Sequence, residues 1–557
     1  MPQKTYWVQE SIITALGIGK EEHLEALEKK QSGLQKCSDY WAGKIDWSRI
    51  QLLPQYTPLE SLMIQCIQDL KFDFTLSNVG IIFSTTKGNI DLLSGNSAQS
   101  IVNGENDYNP SLLLENMAKH VADYFNISSM PTIISNACIS GVTALIMAQR
   151  WIDSGKYEQV IVVGGDLLTP FVVEGFQSFK SMDVDPCRPY DASRTGLSLG
   201  EACGAVWLSN SKELALAHQS SVQLLGGCIS NDANHISGPS RTGDGLYAAM
   251  KGAMEEAQVV KEDIAFLSPH GTATLYNDEM ESKAIALAEL TYCPLNSMKP
   301  YFGHSLGACG VIETIVSVWQ LEKNKVYPTL GYKTCGVSVP LSVSVNSQIV
   351  KGDCALKMAS GFGGCNAALV LSKIDKKGIK NITNPTLETI ATVELKQDTT
   401  QNYKEHIRQE YKALNRANLK FYKMDDLSKL GYVLSEQLMQ QITLPADKSR
   451  VALLLCNESS SLVSDSKHQL LIDQQEMVSP AIFVYTLPNI VSGEICIRHK
   501  IKGENTFLIG KESINNIAQY AQLLIERGSI DMVIYGTCEY SQTHYYGKLT
   551  CIQKTNN

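Results

Sequence analysis

No run of ~18 apolar residues, the length a membrane-spanning helix needs, occurs in this sequence of 557 residues. Its opening, MPQKTYWVQESIITALGIGK, has no long apolar stretch behind a basic start and does not read as a secretory signal. Positive charge is also short: 48 Lys and Arg stand against 57 Asp and Glu, a net charge of −9. A nucleic-acid binder needs a basic face to neutralise phosphates, so the balance argues against that class. No two of the 15 cysteines form a CxxC pair, which removes the spacing of a structural zinc site. Thiols scattered without pattern fit a reducing compartment. These absences predict a cytoplasmic protein with no membrane span and no nucleic-acid partner, on which any acidic partner must dock at a local basic patch.

What is present describes an ordered globular chain, 44% hydrophobic and 19% charged, long enough for two or more domains. Strands and helices alternate through the first 375 residues. VGIIFSTT, TIISNA, QVIVVGGD and GAVWLSN read as buried strands, with helices at SLLLENMAKHVADYF and ALIMAQRWIDSG between them. A second half begins near Ser221 with SVQLLGGCI, then a helix at GLYAAMKGAMEEAQ and strands at IAFLSPH, VSVNSQIV, CALKMASGFGG and AALVLSKI. The expected class is α/β, two halves layered around sheets with helices on both faces. Boundaries fall at 1–220, 221–375, a linker or irregular start over 376–426 that opens on the basic, turn-prone DKKGIKNITNP, and a C-terminal α/β domain over 427–557.

That last domain repeats the opening. VGIIFSTTKGNIDLL from Val79 parallels VALLLCNESSSLVSD from Val451, and QVIVVGGD from Gln159 parallels DMVIYGTC from Asp531, both displaced by 372 positions. Two separated strands sharing one offset indicate a degenerate second copy of the N-terminal half. In that register Cys138 falls on Gly510, so the copy carries no thiol there.

Cys138 itself sits in IISNACISGVTALIMAQR, between a β-branched strand and a helical run. A thiol at a helix N-terminus feels the positive end of the dipole, which favours thiolate; a buried packing cysteine is the competing reading. Four other stretches bear on the choice: SPHGTATLYNDEME with His270, KPYFGHSLGACGVIET with Lys299 and His304, the glycine turn SGFGGCNAALV, and CRPYDASRTGLSLGEACG. Singly, each has an ordinary structural explanation. Together, NACISG, HGTAT…ND…E, K…GHSLGACG and GFGG resemble the β-ketoacyl-acyl-carrier-protein synthases of the thiolase superfamily, over roughly residues 5 to 375.

The resemblance implies a thiolase-like αβαβα fold of two similar halves, extended here by the half-copy. It implies decarboxylative condensation of an acyl-cysteine with malonyl-acyl-carrier protein, lengthening a fatty-acid, polyene or polyketide chain by two carbons. Cys138 resembles the acyl-accepting nucleophile, His270 and His304 the pair that promotes loss of CO₂, and Lys299 the lysine that holds the second histidine. The N–H groups of Cys138 and Phe362 resemble the oxyanion hole, Phe362 the gate between half-reactions, and Gly361 and Gly363 on either side of it a substrate-binding turn whose backbone approaches the ligand closely. Thr272 and Thr274 match positions that hydrogen-bond a pantetheine arm; Asn277, Asp278 and Glu281 match a supporting loop. No metal or redox cofactor is implied, since the phosphopantetheine rides on the substrate's carrier. Arg150, Lys156, Lys180, Arg188 and Arg194 are the basic residues near these motifs that an acidic carrier would meet. Cys365 gives a degradative-thiolase reading a foothold, GEACG departs from the family's GEGAG, and a non-condensing, chain-length-factor-like subunit is the alternative function. Family members pair through the strand before the nucleophile, as a homodimer or with a related chain, so the copy is expected to supply such a partner surface, within the chain or across a dimer.

Overall fold

The computed structural model describes residues 4–76, 78–105, 107–374, 385–398, 400–415 and 418–555. Its centre is one 15-stranded sheet. The strands on its main path are β1 (Thr5–Thr14), β2 (Val79–Ser84), β3 (Thr132–Ile134), β4 (Gln159–Asp166), β5 (Ala202–Ser209), β6 (Val222–Asn231), β7 (Ile264–Ser268), β8 (Cys354–Gly361) and β9 (Cys365–Lys373), followed by β10 (Leu387–Lys396), β11 (Val451–Asn457), β12 (Asn505–Ile509), β13 (Met532–Tyr540) and β14 (Tyr545–Lys554). Their order is β7-β8-β9-β6-β1-β5-β4-β2-β3-β12-β11-β13-β14-β10.

The first half, β1-β5-β4-β2-β3, joins the second through an antiparallel β1·β6 pair. Strands β2, β4 and β5 are buried along their whole length, as their unbroken apolar sequences require. Helix α1 (Pro58–Asp69) covers the outer face of the first half and α4 (Asp244–Ala257) that of the second. Between the two halves lie α2 (Ser140–Asp153) and α5 (Cys309–Lys323), packed on each other. This gives five layers, helix, sheet, helix, sheet, helix. Every residue of α2 from Ser140 to Ile152 is buried, so a helix with no polar face has a place only here.

The C-terminal region repeats the first half strand for strand. Outward from β12 the order is β12-β11-β13-β14-β10, matching β3-β2-β4-β5-β1, with parallel and antiparallel pairs in the same places. Helix α6 (Asp426–Met439) stands where α1 does, and α8 (Ser513–Glu526) where α2 does. Among the described residues the copy has no counterpart of β6 to β9. Accordingly, α8 buries Ile517, Tyr520, Ala521 and Leu524 while Asn515, Gln519 and Gln522 face out, an amphipathic remake of the wholly buried α2.

Three expectations are corrected here. The segment 376–426 is not a linker throughout: residues 375–384 lie outside the described set, but β10 and the helix Tyr403–Ala413 are regular structure. The charges that suggested a linker alternate along an edge strand whose other face is buried. VSVNSQIV contributes only the two-residue strand Gln348–Ile349. The counterpart of Cys138 is Glu512 rather than Gly510, because Ile82 pairs with Thr132 while its equivalent Leu454 pairs with Thr506, two residues beyond the sequence offset. An insertion between β11 and β12 escapes any constant offset, and the copy still has no thiol at the position of Cys138.

The copy joins the N-terminal half through an antiparallel β3·β12 pair, Ile134 opposite Leu508 and Ile133 opposite Ile509. Ser135 N–H continues the ladder to Phe507 O at 3.2 Å, and Asn136 Nδ2 donates to Asn505 O at 2.8 Å. Beside this seam the buried Arg150 reaches Glu504 at 2.7 Å and Gly227 O at 2.9 Å, with Glu256 at 3.7 Å. Arg150→Ala leaves the buried Glu504 without its cation, while Glu256 keeps Arg527, and is expected to lower the unfolding free energy by about 3–5 kcal/mol. Urea unfolding checks this; a loss under about 1 kcal/mol, the scale of a surface pair, contradicts it.

Candidate active site

Strand β3 ends at Ile134, and the chain turns through Ala137 at φ 48° into α2. A left-handed alanine is strained, and the turn is pinned by Ser140 Oγ, which donates to Ala137 O at 2.6 Å and accepts from Asn136 N at 2.7 Å. Cys138 is thereby lifted out of the strand line, at the mouth of the layer that holds α2 and α5. The relative placement of those helices depends on Gly141 and Gly310: a Cβ on Gly141 would lie 2.6 Å from Val311 N, and one on Gly310 2.4 Å from Val142 N. The backbones touch, which brings the start of α2 beside the loop that precedes α5.

His270 follows β7, and His304 lies between Lys299 and α5. Cys138 Sγ and one nitrogen of each imidazole lie within 4.8 Å of one another. The rings stand edge to face, 5.0 Å between centroids and 86° between planes. Their tautomers are set by neighbours. Leu306 N–H donates to His304 Nδ1 at 3.2 Å, and Lys299 Nζ stands 3.3 Å from His270 Nδ1 and also donates to His270 O. Both rings therefore carry their proton on Nε2. A metal would need lone pairs there; the site instead presents N–H donors, an arrangement suited to a developing oxyanion.

Lys299 is buried with Glu313 at 2.7 Å, and Glu313 also pairs with the buried Lys357. Burial pulls the Lys299 ammonium down, but the Glu313 charge more than compensates and raises it. Burial, followed by the positive charge of Lys299, pushes both histidines well below the ordinary imidazole value, so both rings are neutral. Cys138 behaves contrary to the expectation from its helix terminus: burial, then the neighbouring Cys365, push its thiol up to about 12 against the lowering effect of Lys299. Water exclusion outweighs the dipole, and the resting thiol keeps its proton.

Glu281 accepts from His270 N and Gly271 N, both at 2.7 Å, from Tyr190 Oη at 2.9 Å and from Asn277 Nδ2 at 2.9 Å. Asp278 accepts from Tyr190 N at 2.7 Å and Thr272 N at 3.1 Å. These carboxylates shape the His270 loop, in which Thr272 Oγ1 and Thr274 Oγ1 are 2.8 Å apart. The Gly361–Gly364 turn approaches from the other side, Gly361 so close that its Cβ would lie 3.1 Å from Cys138 N. An apolar cavity beside Cys138 is lined by Val172 and Phe176 of α3 (Pro170–Ser178), by Phe362, and by Phe483 and Leu487 of the copy.

Two family descriptions match: "Beta-ketoacyl synthase, N-terminal domain" over residues 67–213 and "Beta-ketoacyl synthase, C-terminal domain" over residues 222–333. The "3-oxoacyl-[acyl-carrier-protein] synthase 2" of Vibrio harveyi is 30% identical over 387 residues, 64% of this chain and 92% of that protein. The chain belongs to the β-ketoacyl synthase family. The "Polyketide biosynthesis malonyl-ACP decarboxylase PksF" of Bacillus subtilis is also 30% identical to this synthase, over 287 residues, 49% of this chain and 67% of that one. Two solved structures share the fold. "PfaC Keto synthase-Chain length factor" superposes with a TM-score of 0.80 at 14% identity, covering 99% of this chain and 78% of that one. The ketosynthase ApeO, in complex with its chain length factor ApeC from Xenorhabdus doucetiae, gives a TM-score of 0.60 at 24% identity over 67% of this chain and 98% of that one. Among the described residues no helix is long and apolar enough to cross a membrane.

Some sequence expectations for this synthase's site are overturned. Lys299 contacts His270, the first histidine, not His304. Arg150 is no carrier-docking residue, since it is buried and bonded into the β12 seam. Arg194 is buried too, donating to Asp191 O at 3.0 Å and Gly336 O at 2.6 Å. Lys156 is taken up by Asn516 of the copy at 3.0 Å and by the Trp151 ring. Arg188 bridges Asp183 at 3.3 Å and Asp185 at 3.5 Å, whereas Lys180 is exposed. Cys365 is buried and donates to Phe362 O at 3.2 Å, a structural contact. Sequence reasoning misses Glu313, Lys357 and Asp166, the last accepting from Thr85 Oγ1 at 2.8 Å, Thr86 N at 3.0 Å and Ala308 N at 3.2 Å. A charge inside an apolar run, as in GVIETI, CALKMAS and QVIVVGGD, is the signal that could have found them.

Because both imidazoles are already neutral, protonation does not set the acid limb at their ordinary value. Condensation is expected to change less than about twofold between pH 6 and 8, measured as product formation at saturating substrate. A limb centred near pH 6.5 and abolished in the His270→Ala or His304→Ala enzyme contradicts this.

Proposed function

We propose that this synthase runs a decarboxylative Claisen condensation at Cys138, His270 and His304. The observation that carries the reading is the convergence of one sulfur and two N–H-donating imidazoles beside an apolar cavity. Cys138 attacks the thioester of an acyl chain delivered on the phosphopantetheine of an acyl carrier protein. The tetrahedral oxyanion rests on the N–H groups of Cys138 and Phe362. The pantetheine sulfur leaves and takes up the proton that the Cys138 thiol gives up, so no separate base is needed. A malonyl-carrier follows, its arm held by Thr272 and Thr274. Loss of CO₂ leaves its electron pair on the thioester as an enolate, whose oxygen accepts from Nε2–H of both histidines. The enolate carbon attacks the acyl carbonyl, a C–C bond forms, the C–S bond breaks, and the Cys138 thiolate takes up the one proton that the step consumes, from solvent. Lys299, tied to Glu313, fixes the His270 ring and keeps it neutral.

The copy acts as a built-in partner half. Its β12 occupies the β3 edge, so homodimerisation through that edge has no free strand to use, and Phe483 and Leu487 wall the acyl cavity. A carrier would meet the exposed Lys180, and the acyl chain belongs to fatty-acid, polyene or polyketide assembly.

Incubation with octanoyl-carrier protein, followed by intact-protein mass spectrometry, is expected to show one octanoyl adduct on the wild type and none on Cys138→Ala. A chain inert towards every acyl-carrier would instead be a non-condensing subunit. In His304→Ala, acyl transfer to Cys138 is expected to persist while condensation falls by about 10²–10³; equal loss of both steps would remove the division of labour.

A further inference from the structure

The Gly361–Gly364 turn carries the Phe362 side chain over Cys138, with Gly363 and Gly364 at φ 91° and 71°. Three of its bonds stay within the catalytic module: Gly363 N to Ile236 O at 2.6 Å, Asn231 Nδ2 to Gly363 O at 2.9 Å, and Asp232 N to Gly364 O at 2.7 Å. The Phe362 carbonyl is held differently. Besides the Cys365 thiol, it accepts from Asn489 Nδ2 at 2.9 Å, and Asn489 belongs to the copy, immediately before α7 (Ile490–His499). The Asn489 side chain is wholly buried, and among the described residues its Oδ1 has no hydrogen-bond partner. Apart from a long contact to Cys365 Sγ at 3.9 Å, the donation to Phe362 O is what orients that amide. One turn along α7, a Cβ on Gly493 would lie 2.9 Å from Gly363 O, so the copy's backbone also abuts the turn.

The residues just before Asn489 face the acyl cavity. Phe483 and Leu487 line it together with Phe362 and Cys138. Between ring centroids, Phe362 lies 5.4 Å from Phe179 and 6.3 Å from Phe176, and Phe176 lies 5.4 Å from Phe483. The rings crowd the space that an acyl chain on Cys138 would take. Phe483 and Asn489 are joined by tight turns, Thr486 N to Phe483 O at 3.1 Å and Ile490 N to Leu487 O at 3.1 Å, so a push on Phe483 or Leu487 is passed to the Asn489 amide.

We infer that Asn489 is a latch: it holds the Phe362 turn closed while the cavity is empty, and an acyl chain pressing on Phe483 and Leu487 releases it. The inference rests on the ketosynthase reading above. Asn489 touches no reacting atom; it is a positioning residue that makes loading precede decarboxylation, so that the enolate is generated only when an acyl-cysteine is there to receive it.

The test uses the full chain as wild type, Asn489→Asp and Asn489→Ala, with octanoyl-carrier and malonyl-carrier as probes. Asn489→Asp keeps the volume and replaces the donor with an acceptor facing Phe362 O. CO₂ released per ketoacyl product is measured, with CO₂ release from malonyl-carrier alone. Both variants are expected to raise the ratio of unprimed decarboxylation to condensation by about tenfold, the scale of one buried hydrogen bond, while Cys138 still takes up octanoate. Because it is a ratio, partial unfolding leaves it at the wild-type value. An unchanged ratio in both variants overturns the latch alone. A wild type that accepts no acyl group at Cys138 overturns the ketosynthase reading and the latch with it.

Discussion

The β3·β12 seam is a short stretch of backbone pairing, Ile133 and Ile134 against Ile509 and Leu508, yet much of the site hangs from it. The strand that it completes ends four residues before Cys138. Without a neighbour, β3 would leave unpaired N–H and C=O groups along a buried edge, which costs more than a sheet strand of three residues can recover. Pairing continues past the strand to Ser135 and Asn136, so the turn that displays the thiol is braced by the copy. The buried ion pairs Arg150–Glu504 and Lys87–Asp465 also join the catalytic half to the copy. Charges buried in this way add specificity of docking more than net stability.

The active site is an arrangement of donors whose states are fixed before substrate arrives. His304 is set by a backbone N–H and His270 by a lysine that a buried glutamate keeps charged. Each neighbour makes one protonation state the favourable one, so the rings need no proton exchange to stabilise an enolate oxygen. The same burial that keeps them neutral holds the Cys138 thiol protonated. Preorganised N–H groups in a site closed to water are worth far more than the same groups in solvent.

Much of this is legible in the sequence because the chemistry-bearing residues sit in short local motifs. The strand QVIVVGGD has the boundaries read from its apolar run, and HGTAT and FGHS place their histidines where the loops bring them together. The duplication is visible as a common offset between two strands. What escapes depends on contacts distant in sequence. Arg150 lies on a helix with no exposed face, so its charge meets Glu504 rather than a carrier. Strand β10 is masked by charges that alternate on an edge. Phe483, Leu487 and Asn489 carry no motif; their place at the cavity follows only from the seam that docks the copy.

Tethering changes the meaning of that docking. Where a partner half is a separate molecule, the occupied fraction follows its concentration and can be shared among competitors. Here the stoichiometry is one to one by covalent connection, and the local concentration of the second surface is set by chain geometry. Dilution cannot strip the wall from the apolar cavity, and a different wall cannot be exchanged for it, so pocket shape is inherited as a single unit with Cys138.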